Sequence, residues 1–137
     1  MQSAQIGQKA VFTKAITAAD IEGFAAATGD KNPVHLDEAY AATTRFGGRI
    51  AHGILTVGLI SACIARTWPG SIYLSQQVRF VKPVRPNDRI SAEVEVTALD
   101  EQRSRITLRT VCFNQNGEQV VDGSAEVWLP RTPESGK

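Results

Sequence analysis

The chain is short of the features that mark several common classes of protein. Its 137 residues hold two cysteines and two histidines, and 15 Lys and Arg stand against 14 Asp and Glu, a net charge of +1. Without a basic surplus, nucleic acid is not an expected partner. With 42% hydrophobic residues and so little net charge, the chain does not read as disordered. Cys63 and Cys112 form no C-x-x-C pair and each lies in an apolar run, so they read as small buried hydrophobes in a reducing compartment, with no structural disulfide. The N-terminal MQSAQIGQKA has neither a basic n-region nor an apolar h-region, so no secretory signal is expected and the expected location is the cytoplasm. The uncharged run GILTVGLISACIA, from Gly53 to Ala65, is shorter than the roughly 20 residues that span a bilayer, and no membrane partner is expected. Absent too are a G-x-S-x-G elbow, a G-x-G-x-x-G after a strand and a Walker loop, which leaves acyl-serine and phosphate-loop chemistry without support.

What is present fits one domain, residues 1–130, followed by a polar tail, 131–137, expected to be disordered. A first strand is expected about Lys9 to Lys14. Thr17-Ala-Ala-Asp20 resembles a capping box, and Ile21, Phe24, Ala25 and Thr28 share one face of the helix that follows, which Gly29 is placed to end. Residues Asp30 to His35 read as irregular, a short helix from Asp37 to Thr44 comes next, and Gly53 opens a helix apolar on every side that stops before Pro69. From Ile72 the period changes to two. Strands are expected from Ile72 toward Pro83, from Ile90 to Ala98 with Ile90, Ala92, Val94, Val96 and Ala98 facing one way, from Arg105 to Asn114, and from Gln119 to Leu129 beyond the Asn116-Gly117 hairpin. A sheet of sequential antiparallel strands around a buried helix makes the fold class α+β.

Both histidines fall near candidate chemistry. Asp30 and His35 on one loop can bind one water and exchange protons with it, and Asn32 between them can orient either. The competing reading is an Asx turn in which Asp30 and Asn32 only satisfy backbone groups around Gly29 and Pro33. His52-Gly53 opens the long helix, where free N–H groups and the positive dipole end could hold an oxyanion; alternatively Gly53 only permits close packing and His52 is a helix-start residue. Asp30, His35 and His52 have no i, i+4 pair and no cysteine to join them, so no metal is expected. Arg79, Lys82, Arg85 and Arg89, with Arg45 and Arg49, could hold the phosphates of an anionic ligand or simply protect a solvated strand edge.

From Phe24 to Gly53 the sequence FAAATGDKNPVHLDEAYAATTRFGGRIAHG resembles the hydratase 2 motif of the MaoC-like (R)-specific enoyl-CoA hydratases, with G-D-x-N-P-x-H at Gly29, Asp30, Asn32, Pro33 and His35 and the downstream H-G at His52-Gly53. The likeness continues through PGSIYLSQQVRFVKPVRPND and AEVEVTAL, with Asn87-Asp88 where many relatives have Gly-Asp. The resemblance implies a hot-dog fold, a homodimer, an acyl-CoA substrate, no cofactor, and (R)-specific hydration of trans-2-enoyl-CoA to (R)-3-hydroxyacyl-CoA for polyhydroxyalkanoate synthesis. In that reading Asp30 is favoured as base and His35 as acid, Asn32 supports the pair and the Gly53 N–H stabilises the enolate. Ser61, Ile64 and Ala65 line the acyl pocket, and Arg79 and Lys82 bind the CoA phosphates. The rival readings are a hydratase or dehydratase of another acyl thioester (branched, dicarboxylic or carrier-protein-bound), a hot-dog thioesterase, and a non-catalytic acyl-CoA-binding subunit.

Overall fold

The computed structural model describes residues 1–131; beyond Arg131 the tail considered above lies outside the described residues. In chain order the elements are β1 (Lys9–Ala15), α1 (Ala18–Thr28), α2 (Pro33–Leu36), α3 (Glu38–Ala42), α4 (Gly53–Thr67), β2 (Ile72–Phe80), β3 (Arg89–Asp100), β4 (Arg105–Phe113) and β5 (Gln119–Trp128). The strands form one antiparallel sheet in the order β1-β3-β4-β5-β2. The long helix α4 packs across it, chiefly against β1 and β3. This is the hot-dog arrangement.

The local signals act as their chemistry dictates. Thr17 and Asp20 close a reciprocal capping box on α1, and Gly29 ends that helix at φ 82°, a conformation that costs glycine nothing. Asn87 turns the chain toward β3 at φ 73°, which its short polar side chain tolerates.

Four expectations give way. His35 is not on an irregular segment: Asn32 caps a single helical turn, α2, and His35 sits on it. Of the strands after α4, β3, β4 and β5 pair in sequence as expected, but β2 crosses to the far side of the sheet and pairs with β5, becoming an edge. On β3, Ala98 leaves the inward row that Ile90, Ala92, Val94 and Val96 form, because a bulge between Val96 and Ala98 shifts the alternation and turns Leu99 inward. Lastly, α4 is not enclosed on all sides. Thr56, Leu59, Ile60, Cys63 and Ile64 are buried, whereas Ile54, Gly58 and Ala65 lie exposed along one stripe.

The core holds Ile16, Ile21, Ile60, Ile90, Val94, Leu108 and Leu129, with Trp68 at the end of α4 buried and donating from Nε1 to the Ser3 carbonyl at 3.2 Å. Cys63 and Cys112 are buried free thiols, and burial pushes the Cys112 thiol up to about 12.

Candidate active site

The end of α1, the α2 turn and the start of α4 converge. Thr28 accepts a hydrogen bond from the Asp30 N–H at 3.1 Å, and Asp30 Oδ1 accepts from the Asn32 N–H at 3.4 Å. Asn32 Oδ1 accepts from the Val34 N–H at 3.2 Å, so its side chain builds the turn that carries His35. The Asx-turn reading of Asp30 and Asn32 is therefore realised, and it coexists with chemistry because the turn aims the next histidine. Arg49, which the sequence offered only as part of a basic cluster, donates from Nε to the His35 carbonyl at 2.7 Å and braces the same turn.

The two imidazoles have defined tautomers. His35 Nδ1 lies 2.8 Å from the Ile50 carbonyl and His52 Nε2 lies 2.9 Å from the Asp30 carbonyl; a carbonyl only accepts, so both nitrogens carry protons. This leaves Nε2 of His35 as the nitrogen free for chemistry. Burial holds His35 below the ordinary imidazole value of 6.5, so the neutral ring dominates near pH 7. His52, 2% exposed, is packed between two rings, with centroids 4.7 Å from Phe24 and 3.9 Å from His35. Sequence reasoning left His52 as a helix-start residue and did not name Phe24 as a neighbour. Only the fold stacks them.

A carboxylate oxygen of Asp30 and one ring nitrogen each of His35 and His52 lie within 4.8 Å of one another. Two hydrogen bonds of about 2.8 Å meeting at one water oxygen span roughly 4.6 Å, so the Asp30–His35 pair can share a single water. The three could also approach one cation. Against that, each histidine already spends one nitrogen on a backbone carbonyl, and the remaining His52 nitrogen, Nδ1, is fully buried.

His35 and Gly53 open onto a cavity of about 590 Å³ lined by apolar side chains including Phe46, Ile50, Phe80, Val84 and Val121, with Arg45, Lys82 and Arg85 among its walls. Gly53 heads α4, where the first N–H groups have no intrahelical acceptor. A β-carbon there would stand 2.5 Å from the Phe80 ring, so the close-packing reading of Gly53 holds alongside its free N–H.

Of the expected binding residues, Lys82 lines this cavity and is paired with Glu118. Arg79 is exposed on β2 opposite Asp122 and does not line it. Ser61 is half-buried, Ile64 is in the core and Ala65 is exposed on the outer stripe of α4, and none of the three lines it either. The apolar walls that do line it come from segments far apart in the chain. No local pattern announces them.

The chain is similar in sequence and fold to known proteins. Residues 2–116 match the family described as MaoC like domain. An (R)-specific enoyl-CoA hydratase of Aeromonas caviae is 47% identical over 94% of this chain and 98% of its own length. A 3-hydroxybutyryl-CoA dehydratase of Methylorubrum extorquens is 43% identical, covering 96% of this chain and 84% of the relative. Among solved structures, the unliganded R-hydratase PhaJ1 of Pseudomonas aeruginosa superposes with a TM-score of 0.88 at 47% identity, over 98% of this chain and 89% of the other.

Proposed function

The chain belongs to the MaoC-like domain family, and on that premise we propose that it is an (R)-specific enoyl-CoA hydratase, adding water reversibly to trans-2-enoyl-CoA to give the (R)-3-hydroxyacyl-CoA used in polyhydroxyalkanoate synthesis. The observation that carries this reading is the Asp30–His35 pair beside an apolar cavity onto which His35 and the start of α4 at Gly53 open.

The water is held between the Asp30 carboxylate and Nε2 of His35. Because His35 is neutral with its proton on Nδ1, Nε2 is a lone pair, and the base role falls to His35 instead of to Asp30 as the sequence favoured. Nε2 takes one water proton as the oxygen bonds to C3. The C2–C3 π electrons move toward the thioester, and the resulting enolate oxygen sits at the Gly53 N–H. The imidazolium then returns its proton to C2 on the same face, which completes syn addition and restores neutral His35. Asp30 accepts the second water hydrogen throughout and offsets the transient charge. Thioester conjugation makes C3 electrophilic, so the step calls on no cofactor.

Arg45, Lys82 and Arg85 give the cavity a cationic wall suited to the phosphates of CoA. A second copy of the chain is the natural cover for two adjoining exposures. One is the free edge β2 and the residue after it, with Ile72, Leu74, Phe80 and Val81 each 42–54% exposed; the other is the stripe on α4 that includes Ile54, 58% exposed. A two-fold contact of this kind is self-complementary. A monomeric mass by light scattering would count against the dimer. Among the described residues no helix is long and apolar enough to cross a membrane, and the buried free thiols suit the cytoplasm.

The direct test is loss of conjugated enoyl absorbance from crotonyl-CoA, with Asp30→Asn and His35→Ala as controls and chiral analysis of the product. An (S) product, or full turnover by either variant, refutes the assignment. Thiol release from a saturated acyl-CoA would favour the thioesterase reading.

A further inference from the structure

Among the described residues two buried side-chain atoms have no hydrogen-bond partner, His52 Nδ1 and Thr56 Oγ1. They belong to residues four apart, the N-cap of α4 and its fourth helical position. Side chains on a helix lean toward its N-terminus, which carries the Thr56 hydroxyl over the turn that His52 heads.

The state of Thr56 is unusual within this chain. Thr28, Thr43, Thr44 and Thr67 each donate to a carbonyl three or four residues back, at 2.6–2.8 Å. Thr56 has the same option in the His52 carbonyl and does not take it; that oxygen receives the Leu55 and Thr56 N–H groups at 3.1 and 3.4 Å. Its hydroxyl is therefore an unspent donor at a residue that is 0% exposed. His52 supplies the complement. With Nε2 protonated toward the Asp30 carbonyl, Nδ1 of the neutral ring can only accept.

We propose that Thr56 is a positioning residue whose hydroxyl donates to His52 Nδ1, directly or through one buried water, and fixes His52 in the tautomer that pins the Asp30 backbone and stacks on His35. A chain of polar contacts then runs from Thr56, which is fully buried in the wall of the cavity, to His52 and on to the Asp30 carbonyl behind the catalytic pair. Without the hydroxyl, the Asp30 carbonyl alone holds the proton on Nε2. If the proton moves to Nδ1, the Asp30 carbonyl loses its donor and the loop that aims the carboxylate loosens. In its kinetic consequence this inference rests on the hydratase reading; the state of His52 does not.

The experiment compares wild type, Thr56→Val, Thr56→Ala and Thr56→Ser by ring ¹⁵N spectra of His52 and by crotonyl-CoA kinetics. In the wild type the spectra should report a protonated Nε2 and a hydrogen-bonded, unprotonated Nδ1. Thr56→Val should shift the Nδ1 signal and mix the tautomers, and kcat should fall about tenfold with KM within about twofold. Thr56→Ser should restore both. Thr56→Ala carries the same comparison if the valine variant does not fold. Unchanged His52 spectra in the hydroxyl-free variants overturn the proposal, as does a rise in KM alone, which would place the hydroxyl against substrate. If no form turns over crotonyl-CoA, the hydratase reading fails while the spectra still decide the role of Thr56.

Discussion

Replacing Gly53 by Ala tests the helix start most sharply, because it leaves the N–H in place and adds one methyl beside it. That β-carbon would lie 2.5, 2.6 and 3.0 Å from three atoms of the Phe80 ring. Carbon contacts are optimal near 3.5–4.0 Å, so the ring must retreat by about 1 Å. Overpacking in a closed core costs about 1–3 kcal/mol, but Phe80 is 53% exposed at the end of an edge strand and can swing outward. Gly→Ala also recovers about 0.4–1 kcal/mol by restricting the unfolded chain where alanine fits the backbone, as it does at this helix position. The net stability loss should be about 1 kcal/mol or less. Activity should suffer far more, since a thioester oxygen displaced by about 1 Å from its donor costs about a hundredfold, or roughly 2.7 kcal/mol of barrier. Enoyl absorbance kinetics and thermal melts should thus separate, with kcat falling about a hundredfold and Tm moving by a few degrees. Phe80→Ala supplies the second arm. If the methyl acts by driving the ring into the substrate's place, Gly53→Ala in the Phe80→Ala background should lose much less. Full activity for Gly53→Ala alone would refute the close approach of the thioester oxygen to Gly53. An equal loss in both backgrounds would refute the part given to Phe80.

Because burial holds His35 below 6.5 and its neutral form is the base, kcat/KM should rise with pH along a limb whose midpoint lies below 6.5; a midpoint above that value would contradict the assignment. The same shift bears on folding: in the window between the lowered value and 6.5 the unfolded chain binds the proton and the folded one does not, so stability rises with pH there and falls on acidification, as urea titrations at several pH values would record. Arg45 lines the cavity and rests over the Phe46 ring, so Arg45→Ala should raise KM for crotonyl-CoA several-fold with kcat nearly unchanged, and the effect should shrink for a substrate lacking the CoA nucleotide. Gly123→Ala is a stability probe away from the site: its β-carbon would stand 1.9 Å from the Gln77 carbonyl oxygen across the β2–β5 pair, where backbone cannot yield, and a loss on the order of 3 kcal/mol is expected in urea denaturation.

What the sequence by itself determined is local. The capping box at Thr17, the left-handed Gly29, the Pro69 stop and the Asn116-Gly117 turn are encoded within a few residues, and the structure realises each. The G-D-x-N-P-x-H run likewise names Asp30 and His35, because one short segment holds both. What only the tertiary structure decided is everything that needs two distant segments to meet. The pairing of β2 with β5, the stacking of His52 between Phe24 and His35 and the Ile50 carbonyl that fixes the His35 tautomer depend on packing, which no periodicity reports. The α4 run shows the boundary most clearly. Its apolar composition specifies a helix that avoids water on every side, but the chain supplies one sheet face to cover it, and Ile54 is left for another surface to bury. Hydrophobicity is non-directional, so it fixes what must be covered, and the geometry of the fold decides by what.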